Sequence, residues 1–496
     1  MRKARAGAAR AFRIERDSLG TKRVPADALY GVFTQRARET FALTGRPPHP
    51  ALLRAYARIK RAAALANRRL GLLPAAWARA IVWAADRVIA GDVPDVTVLD
   101  ALQAGAGTPT HMNVNEVIAN LANERLGGRR GHWHPLHPNN DVNRGQSSND
   151  VTPTAVRLMA LELSEGLLRE LDALGRAFRV LARREARTVK PGRTHLQDAV
   201  PITYGQVFAG YAEAIAAAAA ALRSARGELT TIGLGGTAVG TGITAHPRFA
   251  ATVARELSRL VGTRLTPARS LVTTTWSLRP LLACSGALRG IAVDVAKICV
   301  DLRLLASGPQ TGFAELVLPE VEPGSSIMPG KVNPSVPEAV QMACYAALGG
   351  DHAIALAAAA GELELNVMTP LVGHALGESF DVLTRALTLL RTRCVEGLRV
   401  DHARVRALVA GSVIEATALS PVLGYEVTAE LVKEAIARRE PLRAVVGRHG
   451  LLDDRTLSRL LAPAALTAPR AADPRLARRV RNSAAFKAYR GLQKGL

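Results

Sequence analysis

Residues Thr154 to Ala186 read TAVRLMALELSEGLLRELDALGRAFRVLARREA, and this segment is the clearest indication of the fold class. Its apolar residues recur at mixed intervals of three and four positions, with Arg and Glu between them. That spacing places the apolar side chains on one face of an α-helix and the charges on the opposite face. The stretch therefore predicts one long amphipathic helix.

Further long apolar segments surround this helix in the sequence, and each exceeds the usual length of a globular helix. They are Gln206–Glu228, Ser277–Leu305, Val336–Ala359 and Val367–Leu398. Between them, Gly and Pro cluster at Lys190–Gly192, Ile232–Gly242 and Glu322–Pro334, which predicts loops. Ala- and Leu-rich helices with several apolar faces need several neighbours. We therefore expect a mainly α fold with a central long-helix bundle, completed by other copies of the chain.

The order of these segments predicts three domains and a tail. Residues 1–146 form a mixed N-terminal domain, and residues 147–400 form the long-helix bundle. Residues 401–468 form a small C-terminal helical domain, and residues 469–496 form a basic tail.

The composition is that of a folded protein with a large core. Hydrophobic residues make up 48% and charged residues 22% of the 496 positions, which excludes a mainly disordered chain. The four cysteines form no CxxC pair, so we expect a reduced, cytoplasmic protein without a disulfide framework. We find no apolar run of the about 18 residues that a membrane span needs and no signal peptide, so no membrane association is expected.

The net charge of +23 raises the question of a polyanionic partner. The two ends of the chain hold 12 of these charges, +5 in residues 1–14 and +7 from Ala465 onward. Solvated basic arms and contact with nucleic acid are both compatible with this pattern, and we favour solvated arms. On that interpretation, deleting the residues after Pro469 should leave activity within about a few-fold.

Four polar segments lie between the apolar helical segments: residues 104–116, 137–150, 192–198 and 324–334. They are rich in hydroxyl and amide side chains, and they include His195 and Lys331. Neutral donors and one cation could orient and neutralise a small dicarboxylate. Neither a P-loop nor a dinucleotide-binding fingerprint is present, so we expect no nucleotide cofactor.

Within the fourth loop, GSSIMPGKVNP (324–334) closely resembles the signature loop of the aspartase/fumarase superfamily. Other stretches resemble that family in the same order: RIERDSLGTKRVPADALYG (13–31), NRGQSSNDVTPTA (143–155), GRTHLQDAVP (192–201) and GGTAVGTGI (235–243). The resemblance covers residues 13 to 468. It implies a homotetramer whose active sites are each built from three subunits, and a cofactor-free elimination that gives fumarate.

The resemblance also implies roles for individual residues. Ser325 is the general base on a mobile loop, and Lys331 and Asn333 grip the carboxylate that becomes dianionic. Serine is a poor base, so backbone N–H groups of the Gly324–Ser326 turn, together with Lys331, should stabilise its alkoxide. Glu338 orients His195, which we also count as catalytic. The implied substrate-binding residues are Thr108, Ser147, Ser148, Asn149, Thr194 and Asn333, with His195 beside them.

Other interpretations of these residues remain open. Ser325 could belong to a helix cap, Lys331 could be solvated, and His195 could be a structural histidine. A metal site at His132, His134 and His137 is disfavoured, because Pro135 and Pro138 interrupt regular geometry. The resemblance implies a second anion site around His137 and Asn139. Three positions depart from the family pattern: His111 and Thr244 replace Asn, and Asn140 replaces Asp.

Two leaving groups, ammonia and water, occur in this family. The stretch Gln103–Thr108, the pairs Val200–Pro201 and Val336–Pro337, and the segment GELELNVM (361–368) are aspartase-like, whereas Gly330 and Ser148 are fumarase-like. The balance favours ammonia, with a class II fumarate hydratase as the alternative. An inactive structural relative is a further possibility, and retention of Ser325 and Lys331 argues against it.

Overall fold

A computed structural model describes residues 11–494 of the chain, with side chains to residue 491. It is 62% helical, which confirms the predicted mainly α fold. The α-helices are α1 (Val32–Thr40), α2 (Pro50–Arg69), α3 (Ala75–Ala90), α4 (Thr108–Arg125), α5 (Ser148–Arg184), α6 (Tyr204–Glu228), α7 (Phe249–Val261), α8 (Leu271–Trp276), α9 (Arg279–Leu305), α10 (Ser335–Ala359), α11 (Thr369–Leu390), α12 (His402–Ala410), α13 (Ser420–Leu423), α14 (Tyr425–Arg438), α15 (Leu442–Arg448), α16 (Asp454–Leu460), α17 (Pro463–Leu466), α18 (Pro474–Arg481) and α19 (Ala484–Lys494).

The strands are short and form two-stranded pairs. They are β1 (Phe12–Asp17), β2 (Gly20–Pro25), β3 (Val189–Thr194), β4 (Gln197–Thr203), β5 (Thr231–Ile232), β6 (Thr266–Pro267), β7 (Leu316–Val317) and β8 (Arg399–Val400). Strand β5 pairs with β6 in parallel, and the other three pairs are antiparallel.

The five predicted long helices are confirmed as α5, α6, α9, α10 and α11. Helix α5 is 37 residues long and begins at Ser148, six residues before the predicted segment, because Ser147 and Asp150 cap its first turn. The last segment was predicted to reach Leu398. It ends as an α-helix at Leu390 and continues as one π-helical turn, Arg391–Val395.

The predicted loop at Lys190–Gly192 is wrong. These residues lie in β3, which forms a hairpin with β4. The pairing shifts register between Pro191 and Arg193, so the Gly and Pro mark an irregularity inside a strand instead of a loop.

Two compact units share the chain. The first comprises the described residues up to Glu170, Ala217–Asp294 and Met342–Ala386. In it, the alanine-rich face of α2 packs against α3, α4 and α7. The second comprises Leu171–Ala216, Val295–Gln341 and the described residues from Leu387 onward. The three-domain division made from the sequence stays a prediction.

The second unit has two apolar centres. One is an aromatic cluster in which the rings of Phe178, Tyr204, Phe208 and Tyr211 stack or meet edge to face. The other is a core of leucine and valine side chains from residue 419 onward, where the sequence predicted a small helical domain.

The prediction of a solvated basic tail is wrong for the part that the structure describes. Helices α18 and α19 place Leu476, Val480, Phe486 and Tyr489 in the C-terminal core. Arginines occupy the outer face of α18, so its positive charge comes from the solvent side of a packed amphipathic helix.

The basic N-terminal segment is described only from residue 11, so Arg2, Lys3, Arg5 and Arg10 lie outside the described residues. Arg13 is not part of a solvated arm. Its guanidinium donates to Glu15 at 2.7 Å and to the carbonyls of Pro25 and Tyr30, which ties β1 to the segment after β2.

Helices α6 and α10 are each long and apolar enough, by length and composition alone, to cross a membrane. Core helices of water-soluble proteins pass the same test, so the observation is weak evidence for a span. Only 28% of the apolar window of α10 is buried within the chain.

Candidate active site

Two helix N-termini meet in the first unit. Thr108 begins α4, Ser148 begins α5, and their hydroxyl oxygens lie 2.7 Å apart. Gly107 precedes Thr108 with φ of 82°, and a Cβ there would lie 2.7 Å from the Thr152 side chain. Helix N-termini carry unpaired backbone N–H groups and a partial positive charge. The arrangement is suited to binding a carboxylate.

The first predicted polar loop is therefore a loop only up to residue 107. Helix α4 runs on through Thr110–Glu116, which are buried. The Glu116 carboxylate accepts hydrogen bonds from the backbone N–H groups of Gly31, Phe33 and Thr34 at the start of α1. Burial raises the pKa of Glu116 to about 7. Most of the residues after Thr108 in this segment are therefore buried and stabilise the fold.

Residues after Gly145 form a tight polar cap on α5. The Asp150 carboxylate accepts from the Ser147 N–H at 2.9 Å, and it also accepts from the N–H groups of Gly235 and Thr237 at 2.9 Å each. Asn149 donates from Nδ2 to the Ala238 carbonyl at 2.8 Å. Burial raises the pKa of Asp150 to about 6 in spite of these donors. The structure thus holds Ser147, Ser148 and Asn149 together and ties them to the glycine-rich segment at 235–243.

In the second unit, Thr194 and His195 lie at the exposed tip of the β3–β4 hairpin. His195 and Leu196 are the turn residues, and their φ angles are 54° and 58°. Turns with two positive φ values favour Asn and Gly, and larger side chains are strained there. Such strain is found preferentially at functional sites. The His195 side chain is therefore exposed at the tip of the hairpin.

The loop between β7 and α10 contains Ser325, whose hydroxyl bonds to the backbone of the following residues. The Ser325 Oγ accepts from the backbone N–H groups of Ile327 at 3.2 Å and Met328 at 3.1 Å. The backbone N–H donors to this hydroxyl were expected from the Gly324–Ser326 turn, and that expectation is wrong. They come from the two residues that follow the turn. Two aligned N–H groups favour the deprotonated form of a hydroxyl. The same two donors would stabilise negative charge on the Ser325 oxygen.

Hydrogen bonds across its neck close the same loop. The Gly324 N–H donates to the Lys331 carbonyl at 2.8 Å, and the Asn333 Nδ2 donates to the Gly324 carbonyl at 2.7 Å. A Cβ on Gly324 would lie 2.4 Å from the Lys331 oxygen, so glycine is required there. The amide nitrogen of Asn333 thus forms a hydrogen bond within the loop, while the Lys331 side chain is exposed.

Glu338 lies on α10, where its carboxylate is 3.4 Å from the Arg303 guanidinium. Among the residues that the structure describes, Glu338 makes no hydrogen bond to His195, so the predicted pairing is not made within one chain. It stays a prediction for an assembly of several subunits. Arg303 lies within the long α9 segment, where nothing in the sequence marks it as a partner of Glu338.

The histidine-rich segment before α5 is ordered by internal hydrogen bonds. His137 Nδ1 accepts from the N–H groups of Asn139 and Asn140 at 3.1 and 3.4 Å. Burial lowers the pKa of His137. Residues 11–494 contain no group of three or more His, Cys, Asp or Glu side chains arranged to hold a metal ion.

Family models match most of the chain. A model described as Lyase matches residues 20–349, and one described as Fumarase C C-terminus matches residues 416–468. The chain belongs to this lyase family. The first match includes every predicted site residue from Thr108 to Glu338, and the second covers helices α13 to α17 of the C-terminal core.

Individual relatives of the lyase carry two enzyme names. An aspartate ammonia-lyase from Pseudomonas canavaninivorans is 45% identical over 93% of this chain and 98% of its own length. One from Helicobacter pylori (strain J99) is 40% identical over 93% of this chain and 99% of its own. A class II fumarate hydratase from Chromobacterium violaceum is 46% identical over 87% of this chain and 94% of its own.

Solved structures similar to the lyase confirm the fold assignment. A fumarate lyase:delta crystallin from Brucella melitensis bound to cobalt has a TM-score of 0.89 at 44% identity, covering 92% of this chain and all of that one. A class II fumarase from Schistosoma mansoni has a TM-score of 0.90 at 33% identity and covers 93% of this chain and all of that one.

Proposed function

We propose that the lyase is an aspartate ammonia-lyase, which eliminates ammonia from L-aspartate and gives fumarate. The observation that carries this proposal is the environment of Ser325, whose hydroxyl accepts two backbone N–H donors. The aspartase-like sequence features and the aspartate ammonia-lyase relatives support ammonia as the leaving group. A class II fumarate hydratase is the second candidate, because one relative of equal identity carries that name.

The reaction needs a strong base and a group that stabilises negative charge. The proton to be removed lies beside a carboxylate and is only weakly acidic, so its loss produces a dianionic, enediolate-like state. In our proposal Ser325 takes the proton, and Lys331 and Asn333 bind the carboxylate that gains charge. Stabilising that charge in the transition state is the largest catalytic contribution. Thr108, Ser148, Asn149 and Thr194 orient the substrate, and His195, aligned by Glu338, completes the site.

We also propose that the active enzyme is a homotetramer with active sites shared between subunits. Exposed apolar side chains support this: Ile327 and Met328 on the Ser325 loop are 83% and 47% exposed, and Met342 and Leu356 on α10 are 69% and 62% exposed. Apolar patches of this kind mark surfaces that another chain covers. We propose a cytoplasmic enzyme that uses no cofactor, with the dicarboxylate as its ligand and neither nucleic acid nor membrane as a partner.

The leaving group can be tested directly, because fumarate absorbs in the ultraviolet. We expect the purified enzyme to form fumarate from L-aspartate with a higher kcat/KM than from L-malate. Absorbance recorded during separate incubations with the two substrates gives both values. A higher kcat/KM on malate would assign the enzyme as a fumarate hydratase, and no fumarate from either would indicate an inactive relative.

Shared sites predict complementation between two inactive variants. Ser325→Ala alters one part of the site, and Thr108→Ala with Ser148→Ala alters another. If different subunits supply the two parts, randomly mixed tetramers should regain about a quarter of the wild-type sites. Co-expression followed by activity assay measures this, with separately purified variants mixed without exchange as the control. A co-expressed mixture that is no more active than its components would indicate sites within single subunits.

A further inference from the structure

A fully buried lysine contacts residues next to the helix N-termini of the first unit. Lys60 is on α2, and its side chain is 0% exposed. Its Nζ is 2.5 Å from His111 Nε2, and 2.9 Å from both Asn143 Oδ1 and Gln146 Oε1. An ammonium group has three N–H donors, and this site supplies an acceptor for each. The geometry is therefore that of a buried, hydrogen-bonded cation.

The three acceptors belong to the segments that carry the candidate substrate groups. His111 follows Thr108 by three residues on α4, so both lie on the same side of that helix. Gln146 directly precedes Ser147 and Ser148 at the start of α5. Tyr56, one turn before Lys60 on α2, stacks on the His111 ring at 6.0 Å. Lys60 thus connects α2, α4 and the loop before α5 at one point.

Within the part of the chain that the structure describes, no carboxylate forms a hydrogen bond with the Lys60 ammonium group. Asp150 is the nearby acid that attracts Lys60, but its oxygens accept from backbone N–H groups. Burial lowers the pKa of Lys60 well below its ordinary value. Burial and the Lys60 charge both lower the pKa of His111. Two positive charges at 2.5 Å are strongly disfavoured, so Lys60 and His111 are not charged at the same time.

We propose that Lys60 and His111 form a buried couple that positions the dicarboxylate site and supplies one positive charge behind the Thr108–Ser148 hydroxyl pair. The couple holds the loop before α5 against α4, and its charge attracts the substrate carboxylate that these hydroxyls bind. Both are positioning residues, since other side chains make the direct contacts. The inference rests on the proposed function only in taking a dicarboxylate as the ligand.

The decisive variant is Lys60→Gln, tested with succinate, a dicarboxylate that cannot undergo the elimination. Glutamine keeps N–H donors for Asn143 and Gln146 but removes the charge. Isothermal titration calorimetry should give a Kd for succinate raised by about tenfold or more, as expected for losing a buried charge near an anion. The Tm should be lower, because the shorter glutamine leaves the buried His111 nitrogen without its Lys60 partner. Lys433→Gln, which removes an exposed lysine charge on α14, is the matched control and should leave the Kd unchanged.

The pH dependence gives a readout that a purely structural role would not move. With Lys60 protonated, binding is strong, and it should weaken as the pH rises through the lowered pKa of Lys60. The titratable groups that face it are His111, Asp150 and Tyr56. His111 and Asp150 lose their protons on the acid side, and burial raises the pKa of Tyr56. The loss of succinate affinity should therefore begin at a lower pH in the wild type than in Lys60→Gln, which keeps the Lys331 charge but lacks that of Lys60.

The outcomes separate this inference from the proposed function. Unchanged succinate affinity in Lys60→Gln, with or without a lower Tm, would overturn the inference even if aspartate is the substrate. Lysine-dependent succinate binding by an enzyme that acts on malate, or on neither substrate, would support the inference while the proposed function fails. If Lys60→Gln does not fold, the wild-type titration decides: succinate affinity that stays constant to alkaline pH would overturn the inference.

Discussion

Replacing Ser325 with Ala should lower kcat on L-aspartate by about 10²–10⁴-fold, the usual contribution of a positioned general base. The fold should be retained, because Ser325 lies on a loop and its hydroxyl accepts only the N–H groups of Ile327 and Met328. The exposed Lys331 side chain remains available for the substrate carboxylate, and the Asn333 amide keeps its hydrogen bond to the Gly324 carbonyl. Since the lost interaction acts mainly in the transition state, kcat should fall much more than KM rises. Steady-state kinetics and a thermal unfolding curve measure these effects.

Ser326→Ala is the matched control for this experiment. It removes the same atom from the adjacent, exposed position, and its effect on kcat should be far smaller. His195→Ala should give an intermediate loss, because it removes a positioning contact with the substrate. If Ser325→Ala keeps more than about a tenth of wild-type kcat while His195→Ala abolishes turnover, His195 is the base.

Ending the chain at Pro469 should destabilise the C-terminal core severely. The deletion removes Leu476, Val480, Phe486 and Tyr489, which are all buried. Complete burial of a large apolar side chain stabilises a fold by about 1.5–3 kcal/mol. The summed loss is comparable with the about 5–15 kcal/mol that separates a folded domain from its unfolded state. We expect insoluble protein or a much lower Tm, in contrast to the few-fold effect that the sequence suggested.

A charge-only variant separates packing from charge in this tail. Arg475→Gln combined with Arg478→Gln removes two exposed positive charges from α18 and leaves its buried face intact. Its Tm should stay close to that of the wild type. A truncated enzyme with wild-type Tm and activity would show that the C-terminal core does not depend on α18 and α19.

The chemistry-bearing loops were recognisable in the sequence because they interrupt it. Ser325, Lys331 and Asn333 stand in a polar, glycine-rich segment between long apolar helices, and no packing requirement would put them there. Their resemblance to a lyase signature named a reaction class, and the family match agrees with it. What the loop does for Ser325 was not visible in the sequence, since the Ile327 and Met328 N–H groups reach its hydroxyl only through the fold of the turn.

The tail shows where composition misleads. Eight basic residues after Ala465 dominate the charge count, and the four apolar residues among them are few enough to be overlooked. Those four lie three to six positions apart, so that two short helices turn all of them inward. The charge on the solvent-facing side of an amphipathic helix does not show whether its other side is apolar and packed in a core.

By itself, the sequence determined the helical class, the long helices and the family, because periodicity and a specific loop are local properties of the chain. Only the tertiary structure decided which polar residues meet. Lys60 stands in the segment IKRAAALAN, where nothing marks it as different from a solvated lysine. It becomes buried because α4 and the loop before α5 pack against α2 at this point. His111, Asn143 and Gln146, up to 86 residues away in the sequence, each supply an acceptor. Long-range packing sets the solvation of a charge, and solvation sets what that charge can do.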